Sequence, residues 1–147
     1  MEQAMKCGEG EEELLSLYTD GASRGNPGPS AWAYILLDEK RNVIEERSGS
    51  IGTGTNNEAE YHGLIEGLMA AMRYRCISLS VFSDSELVIR QMNGRYRVAS
   101  PRLIPLYREA QSLSRDFAKI EYQSVPRDHP VIAKADRLCN EVLDRGT

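Results

Sequence analysis

Two stretches constrain this chain more than any other feature. Residues 14–20 (LLSLYTD) and 77–84 (ISLSVFSD) are apolar, β-prone runs that each close on a hydroxyl residue followed by Asp. Small or polar residues follow both. A strand that buries an unpaired carboxylate at its end is costly. Two such strands side by side would bring Asp20 and Asp84 together, where like charges cannot both ionise cheaply without a cation. The pair points to a metal-dependent enzyme.

The segments between them set the architecture. Residues 31–38 (AWAYILLD) and 42–50 (NVIEERSGS) read as strands two and three, joined as a hairpin, after a Gly/Pro turn region, GASRGNPGPS. A helix is expected from about Asn56 to Tyr74, then the ISLSVFSD strand and a short helix, SELVIRQM. NGRYRVASP is a loop. Pro101 opens a helix through about Phe117, with Pro105 tolerable in its first turn. KIEYQSV (119–125) is strand five, PRDHPV a loop, and Ile132 to Leu143 a last helix. The order βββαβααβα gives a mixed five-stranded α/β sheet, strands 1–3 antiparallel and strands 4 and 5 parallel to strand 1, with helices on both faces. Parallel neighbours share their C-terminal ends, so Asp20 would meet Asp84.

A chain of 147 residues suits one domain with a proper core. Residues 14–147 form that domain, and residues 1–13 read as a disordered acidic tail. No apolar run approaches the roughly 18 residues of a membrane helix. The polar start does not resemble a signal peptide. Cys7, Cys76 and Cys139 are odd in number and far apart, which fits free thiols in a reducing cytoplasm. The net charge of −4 is carried by five Glu and one Lys in residues 1–13. Residues 90–115 hold six Arg against the single acid Glu109, a basic patch suited to phosphates. Arg108 and Arg115 fit a solvated helix face.

A third carboxylate should come from the crossover helix. Thr55 and Glu58 form a T-x-x-E capping box, which employs Glu58 structurally. Glu60 shares a stripe with Gly67 and Ala71, small residues that let a helix lie close to a sheet. Glu60 is therefore favoured as functional. Asp136, within the last helix, reads from periodicity alone as a solvent-side residue.

Four blocks, in order, resemble the type 1 ribonucleases H: YTDGASRGNPGP (18–29), TNNEAEY (55–61), FSDSELVIRQMNGRYRV (82–98) and VPRDH…ADRLCN (125–140). The resemblance implies hydrolysis of the RNA strand of an RNA–DNA hybrid, leaving 5′-phosphate and 3′-hydroxyl ends. It places the catalytic, metal-binding acids at Asp20, Glu60, Asp84 and Asp136. All-oxygen ligands suit two Mg²⁺ ions, with Mn²⁺ as a substitute, roughly 3.5–4 Å apart around one phosphodiester. Asp20 would bridge both ions, Asp84 and Asp136 would share the nucleophile-side ion, and Glu60 would hold the other. Without metal, at least one of these carboxylates should have a raised pKa.

Substrate contacts follow from the same resemblance. Asn26 and Thr55 fall on the DNA strand and Asn57 near the RNA; Asn56 serves equally well as a turn or cap residue. His129 is a possible auxiliary for proton transfer, although counting back from Asp136 puts the assisting position at Pro126. Ile132, Glu86 and Arg90 depart from the usual residues. There is no room for the basic protrusion of some relatives, for which Arg95, Arg97 and Arg102 could compensate. A monomer acting on hybrid is the expectation. The alternatives are a nuclease that also takes double-stranded RNA and a non-catalytic nucleic-acid-binding module, the latter disfavoured by four acids facing phosphates.

Overall fold

The computed structural model describes residues 14–74 and 78–146. The proposed acidic tail, Cys7, Cys76 and Ile77 lie outside them. β1 (Leu14–Ser23), β2 (Gly28–Leu37) and β3 (Val43–Gly54) are followed by α1 (Asn56–Met72), β4 (Ser78–Ser83), α2 (Glu86–Met92), α3 (Ile104–Ser114), β5 (Lys119–Ser124) and α4 (Pro130–Asp144). The sheet order is β3-β2-β1-β4-β5. β1, β2 and β3 pair antiparallel, while β1 with β4 and β4 with β5 pair parallel, as expected.

Side-chain alternation along β1 divides the core. Leu15 and Leu17 join Leu64 and Leu68 of α1, whereas Tyr18 lies with Ile132, Ala135 and Cys139 of α4 on the other face. Burial of α4 recurs at Ile132, Ala135, Cys139, Val142 and Leu143, one stripe of an amphipathic helix. Asp136 and Asn140 stand one turn apart beside that stripe.

The strands outrun their sequence signals. β1 continues past Asp20 because its ladder with β2 holds through Ser23 opposite Ser30, and β2 begins at Gly28, paired with Gly54 of β3. Most of the expected turn region is thus strand, leaving residues 24–27 as the connecting loop. The helix expected from Pro101 begins instead at Ile104. The amides of Leu103 and Ile104 both donate to the Ser100 carbonyl, closing a turn ahead of α3. Among the described residues no helix is long and apolar enough to cross a membrane.

Candidate active site

The parallel register of β1 and β4 runs from Leu14 opposite Ser78 to Tyr18 opposite Phe82. Two residues further along each chain stand Asp20 and Asp84. α1 brings the third acid, and its approach depends on two glycines. A Cβ on Gly21 would lie 2.3 Å from the Ala59 carbonyl carbon and 2.4 Å from the Glu60 nitrogen. A Cβ on Gly63 would lie 2.7 Å from the Asp20 carbonyl oxygen. Backbone therefore packs on backbone where Glu60 meets β1. Gly67 also packs closely, against the Leu17 side chain.

The result is a cluster in which carboxylate oxygens of Asp20, Glu60 and Asp84 lie within 4.8 Å of one another. Asp136 lines the same cavity of about 300 Å³, together with Ser23, Asn56 and Arg127. Its carboxylate is exposed on α4, outside the tight trio. Glu58 is held elsewhere: it completes the capping box with Thr55 and receives two bonds from Arg102 at 3.1 and 3.3 Å. Arg102 is thus paired with Glu58, with its side chain 60 % exposed. The choice of Glu60 over Glu58 is the one this geometry favours.

Asp20 is 5 % exposed. Burial, then the charges of Asp84 and Asp136, push its carboxyl up from 3.8 to about 8, against the smaller opposing effects of the Gly21 amide and Arg127. Glu60 is raised well above the usual carboxylate range, first by burial and then by the Asp20 and Asp84 charges. Its Oε1 is sealed from solvent and lacks a hydrogen-bond partner among the described residues. Such an oxygen is costly unless something electropositive reaches it. The donor set is all carboxylate, which fits a hard divalent cation.

The residues expected to contact substrate are tied to α1. The Asn56 amide donates to Asn26 Oδ1 at 3.0 Å, and the Ser23 amide donates to Asn56 Oδ1 at 3.0 Å. The Ser23 hydroxyl donates to the Gly54 carbonyl at 3.1 Å. Asn26 is exposed, with its side-chain oxygen occupied by the Asn56 amide. Thr55 caps the helix, and Asn57 sits half-buried in the first turn. Arg95 and Arg97 are exposed in the loop after α2, flanking Tyr96, whose ring lies 5.3 Å from the Arg90 guanidinium.

His129 has a structural position. Its Nδ1 accepts from the Val131 amide at 3.2 Å as the N-cap of α4, and its ring packs on Tyr18 with centroids 5.1 Å apart. His129→Ala should therefore cost about 1 kcal/mol of stability, as loss of a cap does. Thermal melts and hybrid cleavage measured together would check this; a collapse of cleavage at unchanged stability would refute the structural assignment.

Sequence reasoning passed over Arg127, whose Nε stands 3.5 Å from Asp84 Oδ2 with the side chain 91 % exposed. Its one sequence signal is adjacency to Pro126, the position reached by counting back from Asp136. It also passed over Gly21 and Asn140, whose importance comes from contacts distant in sequence.

A reverse transcriptase-like family model matches residues 18–142. The bifunctional protein Rv2228c of Mycobacterium tuberculosis is 44 % identical over 126 residues, covering 85 % of this chain and 34 % of that protein. Ribonuclease HI of Halobacterium salinarum is 38 % identical over 127 residues, covering 86 % of this chain and 63 % of the relative. The chain thus spans about a third of the first relative's length and under two thirds of the second's. Among solved structures, LC11-RNase H1 in complex with RNA/DNA hybrid superposes with a TM-score of 0.84 at 35 % identity, covering 89 % of this chain and 97 % of that one. Fold, strand order and these likenesses agree: the chain belongs to the reverse transcriptase-like family and, within it, to the type 1 ribonucleases H.

Proposed function

We propose that this protein is a metal-dependent endoribonuclease that hydrolyses the RNA strand of RNA–DNA hybrids, leaving 5′-phosphate and 3′-hydroxyl ends. The observation that carries the reading is the convergence of Asp20, Glu60 and Asp84, with a buried Glu60 oxygen left unpartnered. Such a trio is self-repelling, and a binding module has no use for it against phosphates. The hybrid-bound LC11-RNase H1 supports the substrate class.

Asp20, Glu60, Asp84 and Asp136 would hold two divalent cations, Mg²⁺ or Mn²⁺. When bound, such ions neutralise phosphodiester charge and lower the pKa of an attacking water. The protein's own groups position the substrate. Asn26, exposed and with its oxygen occupied, offers its NH₂ to the DNA strand, and Thr55 lies at the N-terminus of α1, where phosphates are favoured. Asn56 holds the loop, Asn57 faces the RNA, and Arg95 and Arg97 meet flanking phosphates. Contacts of this kind make binding salt-sensitive. The protein acts as a monomer in the cytoplasm.

Arg127 stands at the cavity mouth beside Asp84 and can donate to a non-bridging phosphate oxygen. A charge-assisted hydrogen bond is worth about 1.5–3 kcal/mol, so Arg127→Ala should lower kcat/KM by about 10- to 100-fold. Steady-state cleavage of hybrid by the variant checks this; a wild-type rate would remove Arg127 from the reaction.

One gel tests the reading as a whole. Labelled RNA–DNA hybrid, duplex RNA and duplex DNA are incubated with the protein in Mg²⁺, Mn²⁺ or EDTA, beside Asp84→Asn. Metal-dependent cleavage of hybrid alone, absent in the variant, is expected. Equal cleavage of duplex RNA would indicate the broader nuclease, and binding without cleavage the non-catalytic module.

A further inference from the structure

Of the four acids, Asp136 is the one that packing does not hold. Asp20 is buried, Glu60 has one carboxylate oxygen sealed from solvent, and the Asp84 side chain is 11 % exposed. Asp136 projects from the surface of α4. One turn on, Asn140 donates from Nδ2 to Asp136 Oδ2 at 3.3 Å and to the Asp136 carbonyl at 3.1 Å. The other end of the Asn140 amide is also engaged: Oδ1 accepts from Arg24 at 3.1 Å. Arg24 is in turn paired with Asp144 at 2.7 Å.

This chain of contacts defines the amide's orientation. A flipped Asn140 would present NH₂ to a guanidinium and oxygen to a carboxylate and a carbonyl, losing all three bonds. Arg24 and Asp144 are largely exposed, with side-chain exposures of 46 % and 68 %, so their pairing contributes little to stability. Its effect is orientational. With Oδ2 occupied by Asn140, Asp136 has Oδ1 left for a cation.

We propose that Asn140 is a positioning residue that aims Asp136 at the metal site, with Arg24 and Asp144 setting the Asn140 amide. The inference rests on reading Asp136 as a metal ligand. Outer partners of ligating carboxylates typically govern metal affinity by about 10- to 100-fold. Asn140→Leu keeps a similar volume and removes both the donor and the acceptor. Arg24→Gln leaves Asn140 in place and frees its amide to turn.

The test uses the full chain. Mn²⁺ binding is measured without nucleic acid by water-proton relaxation, Mg²⁺ dependence by titrating hybrid cleavage, and folding by thermal melts. Asn140→Leu should weaken Mn²⁺ binding and raise the half-maximal Mg²⁺ concentration by about 10-fold or more. Its KM for hybrid at saturating Mg²⁺ should stay at the wild-type value. Arg24→Gln should shift Mn²⁺ binding in the same direction by less. Should Asn140→Leu not fold, Arg24→Gln decides alone. Wild-type Mn²⁺ affinity in the folded variants, a lowered melting temperature with unchanged affinity, or a wild-type protein that binds no Mn²⁺ each overturns the proposal. A wild type that binds Mn²⁺ but spares hybrid defeats the ribonuclease reading and leaves this one to the affinities.

Discussion

Metal-free protein should lose stability as pH rises from about 4 to about 8, and Asp20→Asn should relieve much of that loss. The folded state keeps the Asp20 proton until about 8, whereas the unfolded chain releases it near 3.8. Across that window the native state binds more protons, so unfolding becomes easier with rising pH. Below the window both states are protonated and nothing is lost; above it the loss is complete. At about 1.4 kcal/mol per pKa unit, the loss is on the order of 5 kcal/mol. Glu60, raised for the same reasons, acts in the same direction. Denaturant melts in EDTA at pH 5, 7 and 9 measure the slope, and added Mg²⁺ at pH 8 should reverse it. The variant gains stability while losing cleavage by about 10³-fold or more, a loss of at least about 4 kcal/mol in transition-state stabilisation. A flat wild-type profile would show that the acids do not repel as their geometry demands.

The second large effect is steric. Gly21→Ala should disable the site although it alters no charge. The added methyl group meets the Ala59 and Glu60 backbone at 2.3–2.4 Å, so no side-chain rotation relieves the clash and α1 must retreat. Overpacking of this kind costs about 1–3 kcal/mol. A retreat of about 1 Å carries Glu60 out of the trio, and misplacement on that scale can cost about 10²-fold in rate. Thermal melts and hybrid cleavage give the two numbers independently. A variant with wild-type rate would mean that α1 has slack at its first turn.

Much of this was legible in the sequence for physical reasons. The helix between the two hydroxyl–Asp strand ends allows a parallel pair, and the pairing found brings Asp20 to Asp84. Glu58 and Glu60 separate because capping has a local signature that catalysis lacks. Where signals were local but the outcome was not, the reading slipped. Gly and Pro in residues 21–30 read as turn, yet cross-strand pairing held them in β1 and β2. Pro101 read as a helix start, yet the Ser100 carbonyl closed a turn first. Arg102 read as an open cation because its partner Glu58 is 44 residues away. The Arg24 to Asn140 contact spans 116 residues and has no trace in local pattern.

The two bonds of Asn56, one donated to Asn26 and one accepted from Ser23, have a mechanical consequence. They splice the β1 end and the loop that carries Asn26 to the helix that carries Glu60. On the proposed function, a strand held at Asn26 and a bond cut beside Glu60 would share this one attachment. The number of nucleotides between the held sugar and the severed bond would then be set by that splice, whatever the reach of the loop beyond it.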